Sequence, residues 1–108
     1  MSDSTLFTTA HGSAIRCACC DRIEVTFRGI PFLLTEDDLP VVQSVFQSIG
    51  EAEADPGDVW EMSATTGNGP VTVHYRHRDL LEFGNLIDGT AAMLELEEII
   101  ADLTLDSA

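Results

Sequence analysis

Cysteine carries the most chemistry in this chain, and all three copies fall between positions 17 and 20, as Cys17, Cys19 and Cys20. Cys17 and Cys20 have the Cys-x-x-Cys spacing. On a tight turn between two strands, it lets two thiolates face one ion at about 2.3 Å from each sulfur, as in a zinc knuckle. A structural zinc needs four ligands, and no second Cys-x-x-Cys follows. His11 lies upstream, and His74 and His77 lie in the second half. The predicted metal set is therefore Cys17, Cys20 and His11, completed by a later histidine or by a second copy of the chain. The plainer expectation, and the favoured one, is a pair of half-buried structural thiols at a hairpin end. Redox work is the weakest reading. A reactive Cys-x-x-Cys sits at a helix N-terminus, whose dipole lowers the thiol pKa, whereas here Asp21 and Arg22 lead into a strand. Arg16 and Arg22 would stabilise a thiolate only modestly.

The other reactive side chains give weaker signals. His74 and His77 are interleaved with Arg76 and Arg78 in VHYRHR. On a strand His74, Arg76 and Arg78 share a face, which could hold a small anion, but in so acidic a chain pairing with internal carboxylates is favoured. Adjacent acids such as Asp37-Asp38 and Glu97-Glu98 are explained by helix capping and by a solvated helix face. They are no evidence for general acid–base catalysis or for a dedicated divalent-cation site. Thr66–Pro70 (TGNGP) is rich in glycine but lacks the Lys-Ser/Thr ending of a phosphate loop and precedes a strand, so it reads as a hairpin turn. No catalytic or cofactor-binding motif emerges, and a non-enzymatic chain is expected.

Two strand–helix halves must position these residues. Residues 13–17 suit a short strand before the cysteine turn. Residues 22–28 alternate, with Ile23, Val25 and Phe27 on one face and Glu24, Thr26 and Arg28 on the other. Gly29 permits a turn, and residues 30–34 read as a further strand, kept near an edge by Pro31. Thr35 before Glu36, Asp37 and Asp38 is a helix start. The helix proper begins near Asp38 or Leu39, because Pro40 fits only its first turn, and it ends at Gly50. Residues 50–57 form an internal loop. Residues 59–65 and 71–76 pair across the TGNGP turn, and Leu80–Phe83 follows as a third strand, ended by Gly84-Asn85. A final helix, capped by Asp88 or Thr90, runs to about Leu103. The prediction is one domain over residues 1–108, with 1–10 flexible: an α+β two-layer sandwich, mainly antiparallel, in the order β-β-β-α-β-β-β-α.

Composition bounds the partners. The chain has 108 residues, of which 19 are acidic and 5 basic, all arginine, for a formal net charge of −14. Abundant carboxylates with no lysine are the pattern of an extreme halophile's proteins. Carboxylates hold water and cations, and at molar salt the Debye length falls to about 3 Å, which screens their mutual repulsion. So few arginines do not build a phosphate-binding face, so nucleic acid is not an expected partner. No apolar run approaches the roughly 20 residues of a membrane helix. Residues 1–10 carry no signal-peptide pattern, and three cysteines suit a reducing compartment, so a cytoplasmic location is expected.

Ile15–Leu34 (IRCACCDRIEVTFRGIPFLL) and the Thr-Glu-Asp-Asp helix start that follows resemble a family of small uncharacterised bacterial proteins. In that family a Cys-x-x-Cys precedes a strand ending in Phe, and then come a Gly or Asn turn, an apolar strand and an acidic helix start. Cys17, Cys20, Phe27, Gly29 and Thr35 carry the resemblance, which covers about the first half. It implies no activity, since the family's function is unknown, and it favours a shared role for Cys17 and Cys20 over Cys19. The final helix, with Ala92, Met93, Leu96, Ile99, Ile100 and Leu103, carries more apolar surface than one sheet covers, and such a surplus marks an interface. The leading expectation is thus a non-enzymatic module that binds a protein partner or itself as a homodimer. A small zinc-binding protein using Cys17 and Cys20 is the alternative, and a thiol redox protein comes third.

Overall fold

The period-two segments of the sequence pair as consecutive neighbours in one sheet. The computed structural model describes residues 4–17, 22–66 and 69–106, and only the backbone of 104–106. Its elements are β1 (Ser4–Thr9), β2 (Gly12–Arg16), β3 (Arg22–Phe27), β4 (Ile30–Thr35), α1 (Leu39–Glu51), β5 (Val59–Thr66), β6 (Gly69–Arg76) and α2 (His77–Asp106), with a 3₁₀ turn over Glu36–Asp38 before α1. The strands lie in the order β1-β2-β3-β4-β5-β6, each antiparallel to its neighbour. This is the α+β architecture expected of strands joined by short turns.

β3 shows how alternation becomes a face. Ile23, Val25 and Phe27 are buried, and Val25 sits opposite Ala14 on β2 and Phe32 on β4. The β3–β4 loop is Arg28-Gly29, both at positive φ (48° and 83°), as a two-residue hairpin turn that matches strand twist requires. Thr35 caps the helix start as expected, and does so in a capping box: its Oγ1 accepts from Asp38 N–H at 3.3 Å, and its own N–H donates to Asp38 Oδ2 at 2.9 Å.

Two predictions need correction. Residues 4–9 are not a flexible tail but β1, paired along β2. The register shifts between Thr5 and Phe7, a β-bulge at Leu6. Leu6 is buried and its neighbour Phe7 also packs on the core. The bulge erases the alternation by which a strand is recognised.

The second correction removes the third strand of the second half. Leu80–Phe83 lies inside α2, which runs unbroken through Gly84 and Gly89. These glycines are close-approach positions rather than breaks. A Cβ on Gly84 would lie 3.3 Å from Phe46 Cβ on α1, and one on Gly89 would lie 2.3 Å from Phe7 Cε2 on β1. On β2, a Cβ on Gly12 would meet Leu86 Cδ2 at 2.6 Å. Small residues at these points let α2 lie against both α1 and the β1–β2 hairpin.

α2 buries Leu80, Phe83, Leu86, Ile87 and Leu94, and Thr90 among them gives its hydroxyl to Leu86 O at 2.7 Å. Phe83 is the hub of the core, with the rings of Phe27, Phe46 and Phe32 at centroid distances of 4.5, 4.8 and 5.3 Å. Tyr75 closes the cluster edge-on to Phe27 at 5.4 Å. Despite its length, α2 is acidic, and among the described residues no helix is long and apolar enough to cross a membrane.

Candidate functional site

Two of the predicted metal ligands, His11 and Cys17, are held apart by the fold. His11 occupies the β1–β2 turn, where its Nδ1 meets Glu82 Oε1 of α2 at 2.8 Å. Cys17 follows the opposite end of β2, half-buried, with its N–H donating to Arg22 O at 2.9 Å. Six steps of extended chain separate the two by about 20 Å, so one ion within a chain does not bind both. Cys19 and Cys20 lie outside the described residues. Among the described residues no three His, Cys, Asp or Glu side chains converge on a metal position.

The VHYRHR segment divides where β6 meets α2. His74 and Arg76 point outward from β6, and the nearest acid to His74 Nε2 is Glu61 at 3.9 Å. His77 is buried as the first residue of α2, its ring 5.8 Å from that of Trp60. The amides that could draw an anion are in use, since His77 N–H donates to Asp58 O and Arg78 N–H to Pro56 O. Internal pairing is realised by Arg28 with Asp79 at 2.9 Å, and by Arg16, which bridges Glu36 at 3.2 Å and Glu97 at 2.9 Å. Arg76 and Arg78 form no ion pair among the described residues.

Trp60, Tyr75 and His77 form a buried polar group beside the aromatic core. Trp60 and Tyr75 are directly opposed across β5 and β6. Trp60 Nε1, Tyr75 Oη and His77 Nδ1 are buried with no hydrogen-bond partner among the described residues. Burial pushes the Tyr75 phenol above its ordinary value, while Arg28 pulls it down and Asp79 adds to the rise.

Two apolar surfaces remain. One is a groove of about 350 Å³ where the sheet opens. Among the described residues β4 and β5 are paired in register at Phe32 and Thr66 alone. The space between them and α1 is lined by Phe32, Leu34, Val42, Val45, Met62 and Ala64. The other is the C-terminal part of α2. The Arg16–Glu97 ion pair is the last charged tie between this helix and the sheet among the described residues, and Leu94 is its last buried side chain. Every residue from Glu98 to Leu103 is exposed, so the helix here has solvent all round. It keeps an apolar seam nonetheless. Leu96, Ile99 and Leu103 are 45, 50 and 63 % exposed, and Ile100 is exposed beside them.

The sequence pointed to this stripe by its surplus of apolar positions. It did not point to the β4–β5 groove, which depends on how far two strands diverge. Comparison with protein-family models, with curated proteins and with solved structures finds no match.

Proposed function

We propose that this chain is a protein-interaction module whose contact element is the C-terminal part of α2, from Leu96 to Leu103. One observation carries the reading: from Glu98 onward the helix is exposed on every side, yet it continues the row of large aliphatic side chains that begins at Leu96. An exposed helix with no partner has no use for such a row, since polar residues would hold the same backbone without exposing apolar surface. Burying the exposed half of four such side chains contributes about 1 kcal/mol each, or about 4 kcal/mol, and a matching partner face adds as much again. Association costs roughly 4–15 kcal/mol in lost freedom. The balance describes a reversible complex, with a second copy or with another protein. The acidic, lysine-free composition supports a cation-rich cytoplasm as the setting of this module. The test is Leu96→Asp with Leu103→Asp. The doubly substituted chain should keep its melting temperature and lose association. Unfolding of that variant would show that the row belongs to the chain's own core.

A second reading rests on the Cys17 N–H to Arg22 O bond. That bond closes a four-residue connection of the length a zinc knuckle uses. In this reading Cys17 and Cys20 bind one zinc, and a second copy, rather than His11, supplies the remaining ligands. Protein purified without chelator would then carry about one zinc per two chains. Replacing both cysteines by Ser would remove the metal and lower the melting temperature, and unchanged metal content would end this reading.

A further inference from the structure

We infer that the partner of the α2 stripe is an amphipathic helix with lysine or arginine beside its apolar row, rather than a second copy of this chain. The inference rests on the interaction reading above and adds the partner's chemistry. Leu96, Ile99 and Leu103 follow the spacing i, i+3, i+7, the a-d-a seam of a two-helix coiled coil. In that frame Glu95 and Asp102 occupy the g positions, which border the seam and meet the partner's flanking residues. Both are exposed, and so is Glu98 on the next row. No Lys or Arg follows Arg78 anywhere in α2. Among the described residues, the one cation that reaches the acidic stretch from elsewhere is Arg16, and it already bridges Glu36 and Glu97.

The apolar row is therefore bordered on its g side by the carboxylates Glu95 and Asp102, with no described countercharge, and on its e side by the aliphatic Ile100. A helix with basic flanking positions neutralises them on docking. A second copy brings acids and a further net charge of −14, so like charges gather where a complex needs them opposed. Seam and border together specify the partner: apolar at a and d, and basic at the flanking position that meets Glu95 and Asp102.

Two designed peptides of a few heptads test this against the full chain. Both carry Leu at a and d. One has Lys at every e and g, and the other has Glu there. Binding is followed by fluorescence anisotropy of the labelled peptide, with sedimentation of the chain alone alongside, at the lowest KCl at which circular dichroism shows a folded chain. The Lys peptide should bind about tenfold or more tighter than the Glu peptide. Its affinity should fall as KCl is raised, and Leu103→Asp should abolish binding while the variant's circular dichroism stays unchanged. Equal binding of the two peptides would overturn the inference, as would Lys-peptide binding that survives Leu103→Asp and so reflects charge alone. Self-association of the chain, lost in Leu103→Asp with neither peptide bound, would keep the interaction module and refute the basic partner. A chain that stays monomeric and binds neither peptide would refute both.

Discussion

Gly89→Ala separates two views of the C-terminal half of the chain. A glycine in the middle of an exposed helix gains about 1 kcal/mol on becoming alanine, because alanine has less backbone freedom to lose. At Gly89 the new Cβ would lie 2.3 Å from Phe7 Cε2 and 2.5 Å from both Cδ2 and Cζ. Carbon atoms pack at roughly 3.5–4.0 Å, so the ring must retreat by roughly 1 Å or leave its site. Overpacking of this kind costs about 1–3 kcal/mol. The net expectation is destabilisation by about 1 kcal/mol, read from urea unfolding in molar KCl. The same substitution in a Phe7→Ala background should stabilise by up to about 1 kcal/mol, because the ring is gone. The coupling between the two sites is then about 2 kcal/mol, within the range for residues in contact. Gly84→Ala is the control. Its Cβ would meet Phe46 Cβ at 3.3 Å, a contact that a small shift relieves, so the change should be near neutral. Stabilisation by Gly89→Ala in the unmodified chain would refute the packing of α2 on β1.

Three further outcomes follow from the same structure. Tyr75→Phe removes a buried hydroxyl with no described partner, so it should be neutral or stabilise by up to about 1 kcal/mol; a loss larger than that would reveal an acceptor. Because the Tyr75 phenol is raised by burial, the neutral form is the one the fold favours. Its contribution is complete below about pH 10 and is lost as pH rises through the folded value, so Tyr75→Phe should flatten the alkaline fall in melting temperature. With 19 acids against 5 arginines, melting temperature should climb from dilute buffer to molar KCl as repulsion is screened. A flat profile would remove the argument for a cation-rich interior.

How much could be read from the residues depended on whether their signals were local. β3 was legible because Ile23, Val25 and Phe27 alternate without interruption, and the start of α1 because Thr35 and Asp38 satisfy each other's backbone within four residues. β1 was not, since the bulge at Leu6 breaks the period that marks a strand. Gly84 misled for a tertiary reason. Its small size serves Phe46, which arrives from an element far away in sequence, and only the assembled fold shows a close approach instead of a stop. The apolar stripe on α2 was half visible. Its apolar spacing could be read in advance, but its solvent exposure follows from where the sheet ends, at the Arg16–Glu97 ion pair. That β2 holds His11 and Cys17 at opposite ends could not be read from their spacing alone.

The claim that Leu96–Leu103 is a contact surface is tested most directly by sedimentation velocity of the chain and of its Leu103→Asp variant, each alone and with the Lys-flanked peptide. Leu103 is 63 % exposed, so the substitution leaves the core intact. The variant should sediment as a folded monomer under every condition, while the unmodified chain shifts to a larger species with the peptide. An unmodified chain that shows no larger species, alone or with the peptide, would contradict the account. So would a variant that sediments as an expanded, unfolded chain.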